Sequence, residues 1–162
     1  MPDDTPKNFI EFHCGDMICH RYDFIVQGCE FLIIFSLVDI RDEDYHQYRC
    51  QEVGFNIPAN SYDIKFDRLD NYISNTFYAP PLKGAGLYGL GFLHELTHRL
   101  KNIITLHYNI YATKTYFAVA ENQRLKRFYH RILQRSFDDV IYEVSTDLGE
   151  GGKGYAVKTR CF

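Results

Sequence analysis

The stretch Lys83-Gly84-Ala85-Gly86-Leu87-Tyr88-Gly89-Leu90-Gly91 constrains the fold of this chain more than any other, because it joins a β-prone run to a helix-prone one. After it comes FLHELTHRLKNIITL, with Leu93, Leu96 and Leu100, then Ile103, Ile104 and Leu106, at helical spacing. Before it, residues 61–67 and 70–78 read as strands, the second ending at Pro80-Pro81. A glycine loop that opens a helix suits an anion: glycines let the backbone come close, and the unpaired N–H groups of the first turn face it. The same glycines also serve a plain turn. The phosphate loop of nucleotide hydrolases does not fit, because no Gly-Lys-Ser/Thr follows. Gly84-Ala85-Gly86-Leu87-Tyr88-Gly89 spells GxGxxG, but no acid about 20 residues on would hold a ribose.

The remainder reads as an α+β arrangement. Residues 8–14 and 17–27 are rich in Phe, Ile, Tyr and Val around Gly15-Asp16, the pattern of a hairpin. EFLIIFSLVDI (30–40) is a continuous apolar run and a buried strand; 41–52 is a polar turn or short helix. Thr115–Val119 is a strand, and 122–135 a helix with Leu125, Phe128, Tyr129 and Ile132 on one stripe. The tail reads as strand, glycine turn, strand. With no repeat, linker or low-complexity stretch, residues 1–162 are expected to form one domain.

Composition narrows the setting. At 162 residues and 46% apolar content the chain has enough material for a core without staples. The opening MPDDTPKN is polar and acidic, unlike a signal or transit peptide. The longest apolar run, Phe31–Phe35, falls far short of the ~20 residues a membrane helix needs. Cysteines at 14, 19, 29, 50 and 161 make an odd set without CxxC, which suits free thiols in a reducing compartment. A cytoplasmic protein is expected. Charge is uneven: residues 1–82 hold 14 acids against 6 bases, and residues 83–162 hold 7 against 12. Between 99 and 135, eight bases face the single acid Glu121, a field that favours nucleic acid, a phosphate-rich cofactor or an acidic partner.

Two segments carry a family resemblance. The glycine loop is similar to the pyrophosphate loop [RQ]xxGx[GA] that opens a helix in the GNAT superfamily of N-acetyltransferases. Lys83–Tyr88 keeps the basic start but puts Tyr88 in the small-residue slot; Gly86–Gly91 keeps both glycines but not the base. Further on, the strand ending at Val119 and Asn122-Gln123-Arg124-Leu125-Lys126-Arg127-Phe128-Tyr129 resembles the family's NxxAxxFY, with Leu125 in the alanine slot. The resemblance covers about residues 76–135. It implies a mixed, mostly antiparallel sheet with helices on both faces, and acetyl-CoA as acyl donor to a primary amine. It implies that Lys83, Gly84, Gly86, Gly89, Gly91, Asn122, Lys126 and Arg127 hold the cofactor and that Tyr129 protonates the departing thiolate. The base that deprotonates the amine stays open among Glu30, Asp39 and a water relay. Partners in this reading are acyl-CoA, an acceptor that is a small molecule, a protein or an aminoacyl-tRNA, and a second copy of the chain; no membrane is involved.

A rival motif lies in the same helix. His94-Glu95-Leu96-Thr97-His98 is HExxH, in which two imidazoles four apart share a face for zinc and Glu95 acts as general base. Glu121 is the candidate third ligand, although Arg99 is charged where such motifs prefer an uncharged residue. A non-catalytic binding domain is the third reading. His13-Cys14 and Cys19-His20 flank the hairpin turn, but alternation sends such neighbours to opposite faces.

Overall fold

In the computed structural model of the chain, the described residues are 9–73, 90–134 and 139–162. Strands β1 (Ile10–Cys14), β2 (Met17–Val26), β3 (Cys29–Leu37) and β4 (Ser61–Arg68) form an antiparallel meander, with helix α1 (Glu43–Val53) between β3 and β4. Helices α2 (Leu69–Ile73) and α3 (Leu90–Tyr111) follow, then β5 (Thr115–Val119), α4 (Gln123–Gln134), β6 (Ile141–Leu148) and β7 (Gly154–Thr159). One seven-stranded sheet runs in the order β1-β2-β3-β4-β5-β7-β6. Among the described strands only β4 and β5 pair in parallel, and β7 inserts between β5 and β6.

Local chemistry accounts for the boundaries. β2 and β3 meet across Gln27-Gly28, both at positive φ (48° and 80°), the two-residue hairpin turn whose twist matches its strands. Asp42 caps α1 by accepting from Tyr45 N–H at 3.1 Å, and Gly54 ends it in the left-handed region at φ 82°.

Alternation sends successive strand residues to opposite faces and so builds cores on both sides of the sheet. Phe31, Ile33 and Phe35 of β3 and Tyr116 of β5 join Leu96, Leu100 and Ile103 of α3 and Phe128, Tyr129 and Ile132 of α4. Phe117 of β5 faces the other way, with Val53 of α1, Ile57 and Ala156. The expected α+β class with a mostly antiparallel sheet is present, and helices cover both faces.

One expected strand is corrected. The sequence of 70–78 predicts a strand, but Leu69–Ile73 is helical, and 74–78 lie outside the described residues. Asp67 turns the chain: its Oδ1 accepts from Arg68 N–H at 2.8 Å and from Asn71 Nδ2 at 2.7 Å, which closes a helical turn.

Candidate active site

β4 and β5 pair only through Ser61–Asp63 opposite Thr115–Phe117. Beyond that point β4 continues to Arg68 on β3, and β5 continues to Val119 on β7. The two strands therefore part. Among the described residues, no strand pairs with the opened edge of β4.

A cavity of about 80 Å³ lies at the parting. Ile64 and Phe66 of β4, Ala118 of β5, Leu100 and Ile104 of α3, and Tyr129 and Ile132 of α4 are among its walls. Phe66 anchors the aromatic stripe of α4, its ring centroid 5.6 Å from Phe128 and 6.0 Å from Tyr129. Among the described residues, the walls hold no carboxylate and no imidazole, and Tyr116, Tyr129 and Tyr155 are the wall residues that carry a hydroxyl.

The expected site residues fall as follows. Tyr129 is buried, borders the cavity, and meets Tyr155 edge-on at 5.5 Å. Asn122 caps α4, its Oδ1 accepting from Leu125 N–H at 2.9 Å. Lys126 reaches Asp147 of β6 at 2.8 Å, and that hydrogen bond raises its pKa. Arg127 is exposed on α4, and Gly91 is exposed in the first turn of α3. A Cβ at Gly91 would meet nothing within 4 Å, so no close approach by the protein requires a glycine there. Lys83, Gly84, Gly86 and Gly89 lie outside the described residues.

The open base candidates sit away from the cavity walls. Glu30 is exposed on β3, and Asp39 accepts from Arg41 N–H at 2.9 Å and Nε at 3.1 Å. His94 and His98 are exposed on α3, Glu95 Oε2 accepts from Gln27 Nε2 at 3.1 Å, and Glu121 is exposed beyond β5. Among the described residues, no three His, Cys, Asp or Glu side chains gather as a metal site. At the first hairpin the opposite-face expectation holds: Cys19 joins Leu32 and Ile34 on one face, while His20 enters the histidine cluster on the other.

That cluster escaped the sequence reading. His20 of β2 is 2% exposed and His107 of α3 is 0% exposed, with His20 Nδ1 and His107 Nε2 3.0 Å apart. His107 Nδ1 lies 2.7 Å from the hydroxyl of Tyr116 and 3.3 Å from that of Thr113. At the other end, His20 Nε2 is 3.7 Å from Glu11 Oε1, on a side chain 62% exposed. Phe35 stacks on His107 at 3.9 Å and Tyr111 on His20 at 4.1 Å. Burial lowers the pKa of both rings, His107 to about 2, where proximity to His20 adds to the effect. Burial pushes the Tyr116 phenol well above its ordinary range. A lone histidine on an apolar stripe reads as filler; only its 87-residue-distant partner reveals a network.

What the fold and cavity define is a class: an α+β domain with an apolar cleft where two parallel strands part. Comparison with protein-family models, with curated proteins and with solved structures finds no match.

Proposed function

We propose that the chain is an N-acyltransferase that moves an acetyl group from acetyl-CoA to a primary amine. The parting of β4 and β5 over the cavity carries this reading. The pantetheine arm of CoA is an extended chain with two amides, and an opened strand edge offers the peptide groups such a chain pairs with. The apolar walls give the thioester a water-poor seat, where backbone dipoles act strongly on a developing oxyanion. Sheet order, the parallel β4–β5 pair and the NxxLxxFY segment are all compatible with a GNAT-like fold.

In the reaction the amine nitrogen attacks the thioester carbon, a C–N bond forms and the C–S bond breaks. Tyr129 donates its phenolic proton to the departing sulfur and takes one back from solvent once the thiol has left. The exposed Arg127 and the bases around it lend a positive field to the cofactor's phosphates. Lys126, already held by Asp147, contributes less than its sequence position implies.

Calorimetry with acetyl-CoA, beside thiol release in the presence of primary alkylamines, tests the reading. Ala118→Leu should fill the cavity and abolish acetyl-CoA binding while the chain stays folded. Tyr129→Phe should keep binding and lower turnover by roughly 10²–10⁴, with at most about 1 kcal/mol of stability lost with the hydroxyl. Full turnover in the Phe variant removes Tyr129 from the reaction. No acetyl-CoA binding by the unchanged chain overturns the assignment.

A further inference from the structure

An amine that attacks a thioester must shed a proton, and the described cavity walls hold no carboxylate or imidazole to take it. Of the three wall tyrosines, Tyr155 spends its hydroxyl on the carbonyl of Lys126 at 3.3 Å, while Tyr129 is the donor to sulfur in the reading above. Tyr116 leads elsewhere. Its hydroxyl begins a hydrogen-bonded file through His107 to His20, whose Nε2 lies 3.7 Å from the exposed Glu11 carboxylate.

We propose that Tyr116, His107, His20 and Glu11 form a proton relay that carries the amine's proton from the inner end of the cavity to solvent. The inference rests on the acetyltransferase reading and names the base which that reading leaves open.

The donor and acceptor order is consistent along the whole file. With both rings as the Nε2–H tautomer, Tyr116 O–H donates to His107 Nδ1, His107 Nε2–H donates to His20 Nδ1, and His20 Nε2–H faces Glu11. In that tautomer each ring accepts at Nδ1 and releases at Nε2, as a relay requires. When the C–N bond forms, the ammonium proton passes to Tyr116 Oη as that oxygen gives its own to His107 Nδ1. The Nε2 proton of His107 moves to His20 Nδ1, the Nε2 proton of His20 moves to the Glu11 carboxylate, and Glu11 loses it to water. Charge is conserved at each transfer. No group in the core keeps it, which suits rings whose burial disfavours the charged form.

The surroundings support passage rather than storage. The titratable groups beside the rings are Tyr62 of β4 and Tyr111 of α3, both shifted by burial further above neutrality and so uncharged. Phe9 and Phe35 complete the sleeve and keep water from short-circuiting the file. Glu11 is the one carboxylate within ion-pair reach of either ring among the described residues.

Glu11→Gln gives the cleanest test, because an exposed side chain can change without disturbing the core. With acetyl-CoA and n-hexylamine, followed as thiol release, Glu11→Gln and Tyr116→Phe should each lower kcat at least tenfold. Calorimetric affinity for acetyl-CoA should stay unchanged. The kcat–pH profile of Glu11→Gln should move, and Glu11→Asp should restore part of the rate. A structural role for Glu11 would move neither. Unchanged kcat and pH profile in both variants overturn the relay and leave the acetyltransferase reading standing. If the unchanged chain binds no acetyl-CoA, or binds it and releases no thiol to the amine, the reading and the relay fall together.

Discussion

His107 shows how much chemistry one buried side chain can hold. It is fully enclosed, stacked on Phe35 and hydrogen-bonded at both nitrogens, and so stays neutral. Its folded pKa, lowered to about 2, lies below the ordinary value of 6.5. Below about pH 6.5 the unfolded chain therefore binds a proton that the folded chain refuses. The stability from this ring is present above pH 6.5 and is lost as pH falls below it. Between pH 7.5 and 5.0 the loss is on the order of 2 kcal/mol. Urea denaturation at those two values should show the unchanged chain losing that much more than His107→Gln. Equal losses would mean that the ring titrates normally. None of this was legible locally, since His107 continues the apolar spacing of Leu100 and Ile103. The aromatic stripe of α4 that carries Tyr129 was legible, because it is read within one helix, whereas the capping role of Asn122 came only from the structure.

At the scale of elements, local rules predicted most of what formed. The first hairpin, α3, β5, α4 and the two tail strands lie where periodicity put them. Residues 70–73 went the other way because Asp67, at the end of β4, supplies hydrogen bonds that favour a helical turn over further extension. The tail shows what pairing adds. β7 lies between β5 and β6, and Gly154 sits opposite Leu148, so close that a Cβ would come within 2.9 Å of the Leu148 carbonyl oxygen. Gly154→Ala must displace that backbone, and a loss of about 1–3 kcal/mol is expected, measured by urea denaturation. A neutral substitution would show that the bulged end of β6 yields freely.

At the scale of the whole molecule, one ion pair binds α1 to the sheet beside the parting strands. Arg49 of α1 donates to both oxygens of Asp63, at 2.6 and 2.9 Å, and its guanidinium lies 5.2 Å from the Phe117 ring centroid. Asp63 and Phe117 are the last paired residues before β4 and β5 separate. With Arg49 only 12% exposed, Asp63→Ala leaves a buried cation without its partner. A loss of about 1.5–3 kcal/mol is expected by chemical denaturation. Retained stability would mean that Glu52, 3.8 Å away, takes over the pairing. The sequence by itself determined the class, most elements, the aromatic stripe of α4, and the location of positive charge. These follow from periodicities and residue types that act over a few positions. The tertiary structure alone decided that β4 and β5 part, that Lys126 is spent on Asp147, and that two distant histidines join into one file. Strand order and contacts between residues tens of positions apart are energies of packing, and no local pattern encodes them.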